Sequence, residues 1–282
     1  MKDINIVFVN YLMKNDILKA IESIMADLRF CKYDVQIAVV DNSENRDGIK
    51  DELATRFSAV KYIDARGNVG FGKANNLGFN NCQARYYFAL NPDTFIPADS
   101  RVIERIIKFM DDHPRIGCIG PKLITFEGEV QDSCYRFDLS SILIKPLRHI
   151  LFDKKYKWVK KYSDKLVMNE FDHNETRPVD WVLGAAIVVR GDMADKIGWF
   201  DERYFMYLED ADWCRRMWDV GWPVYYVHDI VIKHAHARSS AQVPGIFKAL
   251  VKNRLARAHL NSWFKFMWKW KGTNKYYRYK YK

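Results

Sequence analysis

Short apolar runs and segments of helical periodicity alternate along the first half of the chain. Ile4–Asn10 and Val35–Val40 are continuous apolar runs, which is typical of strands buried on both faces of a sheet. Between them, Asp16–Arg29 places its apolar residues at helical spacing. The alternation continues with a helix-compatible stretch to Phe57, strands at Val60–Ile63 and Tyr86–Leu90, and a helix within Asn75–Cys82. This order predicts an α/β fold with a mostly parallel sheet and helices on both faces.

The second half of the chain is less regular. Helices are predicted at Arg101–Met110 and Glu209–Val220, and buried strands at Cys118–Ile124 and Trp181–Arg190. Two further short strands are expected at Val224–Val227 and Ile230–Lys233. Residues 135–176 are rich in Lys, Tyr and Asp and have weak periodicity. We predict that they form a long irregular connection over the face that carries the site.

Positive charge is concentrated at the C-terminal end. The formal net charge is +10, yet the segment from Ile230 holds 13 of the 45 Lys and Arg residues and no Asp or Glu. The last twenty residues contain nine aromatic and seven basic side chains. Such an end suits an anionic surface, either lipid headgroups or nucleic acid. From Gly245 onward the pattern is that of an amphipathic helix, which could instead pack on the body of the protein or on a second copy.

Composition excludes several classes of protein. With 282 residues, 49% of them hydrophobic, the chain can bury a sizeable core without disulfides, which excludes a disordered or disulfide-scaffold protein. Five cysteines without a CxxC pair suit reduced thiols in the cytoplasm. The sequence has no run near ~18 apolar residues, so we expect no membrane-spanning helix. If the protein meets a membrane, we expect it to lie on the surface.

Polar clusters follow three of the predicted strands. They are Asn10-Tyr11, Asp41-Asn42-Ser43 and Asn91-Pro92-Asp93. In an open parallel sheet, ligands bind beyond the carboxyl ends of the strands, where a carboxylate can accept hydrogen bonds from a ribose or a base. Asp, Asn and Ser also favour turns and helix caps, so a single cluster decides nothing. Three clusters at one edge favour a binding site.

The segment Gly67–Asn76 is a glycine-rich loop that opens a helix. Glycines let the backbone approach a ligand closely, and a helix N-terminus favours anions. The loop matches neither the dinucleotide fingerprint nor the P-loop, which argues against a dinucleotide oxidoreductase. A phosphate-binding loop and an ordinary turn both stay open on these residues alone.

Two carboxylate sites and a histidine site could carry chemistry. Asp93 could bind a hard divalent cation together with diphosphate oxygens, or belong to an ordinary turn. Glu209, Asp210 and Asp212 repel one another, which raises at least one pKa. They are either the charged start of a helix or a general base for a hydroxyl proton. The histidines of His234-Ala235-His236 become metal ligands only if a carboxylate lies at the same site.

Taken together, the motifs resemble bacterial glycosyltransferase family 2, in its rhamnosyltransferase and galactofuranosyltransferase branch. The motifs occur in this order: Asp41-Asn42-Ser43, Asn68–Asn76, Asn91-Pro92-Asp93, Asp180–Ala185, and Phe200-Asp201-Glu202 through Glu209–Trp213. The resemblance covers about residues 3–240. It implies a GT-A fold, in which a Rossmann-like sheet binds a nucleotide-sugar and a divalent cation, Mg²⁺ or Mn²⁺. It also implies that the enzyme inverts the anomeric configuration of the transferred sugar.

The resemblance also implies roles for individual residues. Asp210 and Glu209 would be the catalytic residues, with Asp210 as the base, while Asp93 and His234 would bind the metal. Asp41 would contact the nucleoside, and Trp181 and Gly184 would border the sugar and the acceptor. The donor-binding side as a whole is assigned to Asn10, Asp41, Asn42, Asn68, Gly70, Gly72, Asn75, Asn91, Trp181 and Gly184. Asn91 departs from the usual Asp-any-Asp motif and leaves a single carboxylate there.

These expectations define a domain plan and a function. Residues 1–240 would be the GT-A catalytic domain, with the donor bound in about 1–125 and the acceptor in about 126–240, and residues 241–282 a helical, basic and aromatic extension. The predicted reaction is inverting transfer of L-rhamnose from dTDP-rhamnose to a hydroxyl of a glycan or polyprenyl-linked acceptor. We expect a cytoplasmic enzyme, peripheral on the inner face of the membrane through its tail.

Alternatives stay open on the sequence alone. The donor could be UDP-galactofuranose or another UDP-sugar. A non-catalytic protein that binds membrane or nucleic acid is a weaker alternative, because the body of the chain is net acidic and no part of it resembles a nucleic-acid recognition module. We therefore expect no nucleic-acid partner, and a homodimer is left open.

Overall fold

Strands and helices alternate along the first half of the chain, as the hydrophobic pattern predicts. In the computed structural model, which describes residues 1–137, 171–235 and 254–273, every strand and helix predicted for this half is present. The elements are β1 (Lys2–Asn10), α1 (Lys14–Asp27), β2 (Val35–Asp41), α2 (Ile49–Arg56), β3 (Lys61–Asp64), α3 (Phe71–Asn80), β4 (Ala84–Leu90), β5 (Thr94–Phe95), α4 (Val102–Asp112) and β6 (Cys118–Ile124).

The second half departs from the predictions at Trp181–Arg190 and after Val224, and it contains an unpredicted helix at Gly191–Ile197 and unpredicted short strands at Cys134–Tyr135 and Arg177–Pro178. Trp181–Arg190 forms two strands, because the Ala186 N–H donates to the Leu183 carbonyl and closes a turn there. The two short strands predicted after Val224 are one strand, whose register against β6 shifts between Val227 and Val231. The elements are β7 (Cys134–Tyr135), β8 (Arg177–Pro178), β9 (Trp181–Val182), β10 (Ala186–Arg190), α5 (Gly191–Ile197), α6 (Glu209–Asp219), β11 (Val224–His234) and α7 (Arg254–Lys269).

Three of the sequence predictions fall wholly or partly outside the described residues. These are most of the irregular connection at 135–176, the part of the amphipathic helix before residue 254, and His236. Residues 274–282 of the basic and aromatic tail also lie outside the described ranges.

The described strands form a mixed, mostly parallel sheet. Its order is β3-β2-β1-β4-β10-β6-β11-β5, and β8 pairs with β11. β1 lies parallel to β2 and to β4, β2 to β3, and β6 to β11. β10 runs antiparallel between β4 and β6, so β4 and β6 point the same way. The predicted α/β architecture is confirmed.

Strand register gathers the predicted site residues at one edge of the sheet. Asn10 pairs with Asp41, and Asp41 pairs with Asp64, so three strands end in one polar row. Further along the same edge, His234 of β11 pairs with Thr94 of β5. Because the parallel strands all end here, this is the edge at which ligands bind in open α/β sheets.

The hydrophobic core lies on both faces of the sheet. Along β1, Ile6 and Phe8 point to the face covered by α1 and α4, while Val7 points to the opposite face. That second face is covered by α3, α5 and α6, and Phe266 of α7 is fully buried in the same cluster. Burying a phenylalanine contributes about 1.5–3 kcal/mol, so α7 is packed as part of the body. Within the described ranges, no helix is both long and apolar enough to cross a membrane.

Candidate active site

Asp41 shapes the loop that follows β2. Its carboxylate accepts hydrogen bonds from the Ser43 amide (3.0 Å) and hydroxyl (2.7 Å), the Asn45 amide (2.5 Å), the Asn10 side-chain amide (3.0 Å) and the Tyr62 hydroxyl (3.1 Å). Burial raises the pKa of Asp41, but these hydrogen bonds outweigh it and hold the pKa below its ordinary value. The side chain is fully buried. Its contact with the nucleoside stays a prediction.

Three asparagines connect the strand ends with the glycine-rich loop. The Asn10 side chain accepts from the Met13 amide and donates to Asp41. The Asn42 side chain donates to the Gly70 carbonyl at 3.1 Å. Asn68 accepts from the Gly70 amide at 3.2 Å. The structure therefore brings these predicted donor-site residues together, and their own hydrogen bonds fix the shape of the edge.

Packing against protein explains the glycine at position 70. Gly70 has φ +91°, and a Cβ placed there would lie 2.4 Å from the Phe205 carbonyl oxygen. The Phe71 amide donates to that same oxygen at 2.9 Å. Gly72 packs beside Phe200 in the same way, and the buried Asn75 side chain donates to the Phe71 carbonyl. The loop is therefore docked on residues 200–205, and its contact with the donor stays a prediction.

Asn76 is a positioning residue that the sequence predictions missed. Its side chain accepts from the Phe200 amide (3.1 Å) and donates to the Phe200 carbonyl (2.9 Å) and to Glu202 (3.2 Å). It therefore fastens α3 to the segment that leads to Glu209. A signal for Asn76 was available in the sequence: it is a second asparagine side chain next to Asn75, in a helix whose other buried residues are small or apolar.

Asp93 and His234 lie side by side. The His234 Nε2 atom is 3.3 Å from Asp93 Oδ1, and both side chains are largely buried. The pairing of β5 with β11 brings them together, reinforced by a hydrogen bond from the Ala235 amide to the Asp93 carbonyl (3.0 Å). A metal role for His234 depends on a carboxylate at the same site, and Asp93 provides that carboxylate.

Gln131 orients His234, and the sequence predictions missed it. The Gln131 side chain donates to the His234 carbonyl at 2.7 Å, so its oxygen faces the His234 Nδ1 atom at 2.9 Å. Nδ1 then donates to Gln131, and Nε2 is the ring nitrogen that faces Asp93 and could bind a cation. Histidine ligands of metals are commonly fixed by such a partner.

The Asp93–His234 pair fits a divalent cation. A carboxylate oxygen and an imidazole nitrogen converge on one place; the carboxylate is a suitable donor for Mn²⁺ or Mg²⁺, whereas the imidazole favours a transition-metal ion over Mg²⁺. Among the described residues, no group of three or more His, Cys, Asp and Glu side chains could hold a metal ion. This donor set of two suits a cation that takes its remaining ligands from a substrate diphosphate and water.

Asp210 is held on the turn between β9 and β10. Its carboxylate accepts from the Gly184 amide at 2.9 Å and from the Ala211 amide at 2.7 Å. The next residue of the turn, Ala185, accepts from the Asn91 amide at 2.8 Å. This short chain of hydrogen bonds connects Asp210, Gly184 and Asn91 with the strand end that carries Asp93.

Glu209 has a different environment from its neighbour. It is 95% buried, and its Oε2 atom has no hydrogen-bond partner among the described residues. Burial raises the pKa of Glu209 well above its ordinary value, and the charges of Asp210 and Asp212 raise it further. Asp212 points away from this pair, because its buried carboxylate is bound by Arg216 and Lys269.

Trp181 forms part of the core beneath the edge. Only 2% of the residue is exposed, and its ring stacks on Tyr135 at 4.2 Å between centroids. The stacking follows from the pairing of β7 with β9, which places Tyr135 opposite Trp181. Its contact with the sugar or the acceptor stays a prediction.

The fold and the site together define a class of protein. An open, mostly parallel sheet that gathers polar side chains at its carboxyl edge is the arrangement of Rossmann-like folds that bind nucleotides there. Residues 3–168, more than half of the chain, match the family described as Glycosyl transferase family 2. The chain therefore belongs to glycosyltransferase family 2.

Two curated relatives are named as rhamnosyltransferases. The chain is 28% identical over 224 residues to the N-acetylglucosaminyl-diphospho-decaprenol L-rhamnosyltransferase of Mycobacterium tuberculosis, covering 74% of this chain and 69% of that protein. It is 25% identical over 237 residues to the dTDP-rhamnosyl transferase RfbF of Shigella flexneri, covering 82% of this chain and 70% of that protein.

A solved structure supports the fold. GalNAc-T7 in its crystal structure with UDP, GalNAc and Mn²⁺ superimposes with a TM-score of 0.59 at 12% identity. The match covers 83% of this chain and 43% of that chain, so this protein corresponds to less than half of the GalNAc-T7 chain. At this identity the likeness shows the GT-A fold alone.

Proposed function

We propose that this glycosyltransferase moves L-rhamnose from dTDP-rhamnose, with inversion, to a hydroxyl of a glycan or polyprenyl-linked acceptor. The rhamnosyl transfer named for both relatives supports the sugar, and the name of RfbF supports the dTDP nucleotide. The observation that carries the proposal is the position of Asp210. It lies at the start of α6, joined through Gly184 and Ala185 to the strand end that holds Asp93.

Asp210 is the general base in this proposal. The Gly184 and Ala211 amides fix the direction of its carboxylate. The carboxylate takes the proton of the acceptor hydroxyl as that oxygen attacks C1 of the sugar. The bond from C1 to the acceptor oxygen forms while the bond from C1 to the diphosphate breaks. A single displacement from the opposite face inverts the anomeric centre.

Glu209 supports this assignment by its contrast with Asp210. When two adjacent carboxylates have different environments, their pKa values separate, so that one favours the protonated form and the other the ionised form. Burial and the charges of Asp210 and Asp212 raise the pKa of Glu209, which therefore favours the protonated state. Asp210 is the member that backbone amides hold in place.

Asp93 and His234 bind a divalent cation in this proposal, and Gln131 holds His234 in the tautomer that binding requires. The cation, when bound, stabilises the negative charge that develops on the departing diphosphate. The Mn²⁺ in the GalNAc-T7 crystal structure supports cation use by this fold.

We also propose that α7 lies on an anionic membrane. Phe264 is 59% exposed and Trp268 is 72% exposed, and their spacing of four places them on one helix face. The described helix carries no acidic residue, and the whole segment from Ile230 is basic. Exposed aromatic rings beside Lys and Arg suit the interface of an anionic leaflet, where a polyprenyl-linked acceptor would be presented.

The proposed reaction is tested by a screen for nucleoside diphosphate release. The protein is incubated with dTDP-rhamnose, UDP-galactofuranose or another UDP-sugar, with Mg²⁺ or Mn²⁺ and a lipid-linked glycan acceptor. We expect release from dTDP-rhamnose that a chelator strongly reduces, and a product whose anomeric configuration is inverted by NMR. Release from UDP-sugars alone would show that the donor assignment is wrong.

The base assignment is tested by Asp210→Asn. The amide can still accept from the Gly184 amide but cannot take a proton, so we expect kcat to fall by at least about 100-fold with little change in the KM for the donor. Asp195→Asn, on the exposed side of α5, is the matched control and should retain full activity. Near-normal turnover in Asp210→Asn would refute the assignment.

A further inference from the structure

The turn that precedes the catalytic pair is strained. Tyr207 and Leu208 have φ of +71° and +67°, the left-handed region that favours glycine. Each such residue costs about 1–3 kcal/mol and keeps this conformation only where the surrounding structure enforces it. The turn determines where α6 begins and therefore where Asp210 points. Contacts that hold the turn are thus able to control the position of the base.

On its N-terminal side, the strained turn is held by contacts between α7 and Met206 and Tyr207. The Ser262 hydroxyl donates to the Met206 carbonyl at 2.8 Å, and the rings of His259 and Tyr207 lie 4.6 Å apart. The start of α3 binds the same segment from the other direction, through the hydrogen bond from the Phe71 amide to Phe205. The strained turn is therefore enclosed between two helices.

On the side after the turn, α7 binds α6 through Asp212. The fully buried Asp212 carboxylate accepts from Lys269 Nζ at 2.8 Å and from Trp270 Nε1 at 2.9 Å, and Arg216 also binds it. Lys269 Nζ lies at the same time 2.7 Å from Asp201. One ammonium group therefore joins the segment before the strained turn to the helix after it.

We propose that Lys269 and Trp270 are positioning residues for catalysis, which act through Asp212 and the turn at Tyr207 to hold Asp210 at the angle that the reaction requires. The proposal rests on the proposed function, in which Asp210 is the base. Neither side chain contacts Asp210 in the structure. Their effect on the reaction therefore passes through the connection of α7 with both sides of the turn.

Lys269→Met tests the proposal, with Lys269→Arg and Lys271→Met as its comparisons. Methionine is unbranched like lysine and one heavy atom shorter, and it removes the charge. We expect kcat to fall about 10-fold while the KM for dTDP-rhamnose stays within about two-fold, because a misplaced base slows the reaction without weakening donor binding. Arginine should restore most of kcat, since it also donates to two carboxylates. Lys271 is exposed, and Lys271→Met should match the wild type.

Hydrogen exchange provides a second measurement that needs no activity. In Lys269→Met, the amides of residues 203–212 should exchange at least about five-fold faster than in Lys271→Met, with the rest of the sheet unchanged. Trp270→Phe keeps the aromatic ring and removes the N–H donor. It should show the same local effect at smaller size, and it decides the question if Lys269→Met does not fold.

Two results would overturn the proposal. One is unchanged kcat in Lys269→Met or, if that variant does not fold, in Trp270→Phe. The other is faster exchange across the whole chain with kcat and KM changed together, which indicates general loss of stability. If the wild-type protein turns over no donor, the proposed function fails, while exchange at residues 203–212 still decides whether α7 holds the turn.

Discussion

At the scale of single residues, adjacent side chains of the site have opposite properties. Asp210 accepts two backbone hydrogen bonds, whereas Glu209 places an oxygen in the interior without a described partner. An ionised carboxylate in such surroundings is unfavourable, because burial removes its water without replacing the hydrogen bonds. The chain thus retains a destabilising glutamate directly beside the proposed base.

Glu209→Gln should stabilise the folded protein at neutral pH. The folded-state pKa of Glu209 is raised above its unfolded value, so the stability it contributes is fully present below the unfolded pKa and is lost as pH rises towards the folded pKa. Glutamine does not ionise and avoids this loss. We expect Tm at pH 7 to rise by roughly 2–4 °C for each kcal/mol relieved, and the gain to shrink near pH 4.

Thermal unfolding between pH 4 and pH 8 measures this effect. The matched control is Glu129→Gln, at an exposed position, which should leave the pH profile of Tm unchanged. A lower Tm for Glu209→Gln than for the wild type at pH 7 would contradict the prediction. It would mean that the ionised glutamate is stabilised by its surroundings.

Gln131→Leu should weaken activation by the cation. Leucine has a similar size but cannot accept from His234 Nδ1, so the imidazole loses the group that fixes its tautomer. Loss of such a partner lowers metal affinity about 10–100-fold, so we expect a similar rise in the Mn²⁺ concentration for half-maximal activity. The measurement is a Mn²⁺ titration of transfer, with Gln36→Leu on β2 as the control. An unchanged titration curve would argue against a metal role for His234.

At the scale of elements, the site depends on short connections between long strands. β5 is two residues long, yet its pairing with β11 brings Asp93 to His234. The glycine-rich loop similarly connects β3 with α3 and docks on the segment before α6 at Phe205. These connections join halves of the chain more than a hundred residues apart.

Two glycines of the same loop provide a matched pair for testing this docking. Both have positive φ, but a Cβ on Gly70 would lie 2.4 Å from the Phe205 oxygen, whereas a Cβ on Gly67 would meet nothing within 4 Å. Gly67→Ala should lower the free energy of unfolding by the backbone strain alone, about 1–3 kcal/mol. Gly70→Ala should cost a further 1–3 kcal/mol or so for the overlap and should also raise the KM for the donor. Urea unfolding measures the free energy of unfolding of both variants. Equal losses of stability in the two variants would show that the docking is unimportant.

At the scale of the whole molecule, α7 has two functional faces. Phe266 and the Lys269–Asp212 ion pair fix one face to the catalytic body, and Phe264 and Trp268 leave the other exposed. Removing the chain from residue 245 would therefore uncover part of the core as well as remove any membrane contact. Substitutions on the exposed face separate the two effects.

Phe264→Ser combined with Trp268→Ser should weaken membrane binding. Each ring contributes about 1.5–3 kcal/mol when it leaves water, so we expect partitioning to vesicles rich in phosphatidylglycerol to fall at least about ten-fold. Transfer to a water-soluble acceptor should be unchanged. The control is Phe126→Ser, which removes an exposed ring from a loop of the catalytic body.

Flotation with vesicles and sedimentation without them distinguish the occupants of this face. Unchanged vesicle binding in the double variant would contradict the prediction. A change from dimer to monomer with unchanged vesicle binding would assign the face to a second copy of the chain.

The sequence by itself determined the sheet and the order of the motifs. Continuous apolar runs and helical periodicity record how each segment is buried, which is a local property, so elements such as β6 are predicted to the residue. The positions of Asp93, Asp210 and His234 at strand and helix ends follow from the same pattern. The sequence pattern did not predict the break at Gly184 within Trp181–Arg190. The chain turns there, and the Gly184 amide binds the carboxylate of Asp210, which is 26 residues away.

Only the tertiary structure decided which residues support the site. Gln131 reaches His234 across 103 residues and Asn76 reaches Phe200 across 124, and nothing in the local sequence of any of these residues identifies its partner. The basic residues of α7 read from the sequence as a surface for anions, yet Lys269 is bound to buried carboxylates. A hydrophobic pattern specifies that a residue is buried or exposed, whereas the partner of a polar side chain depends on how distant segments pack.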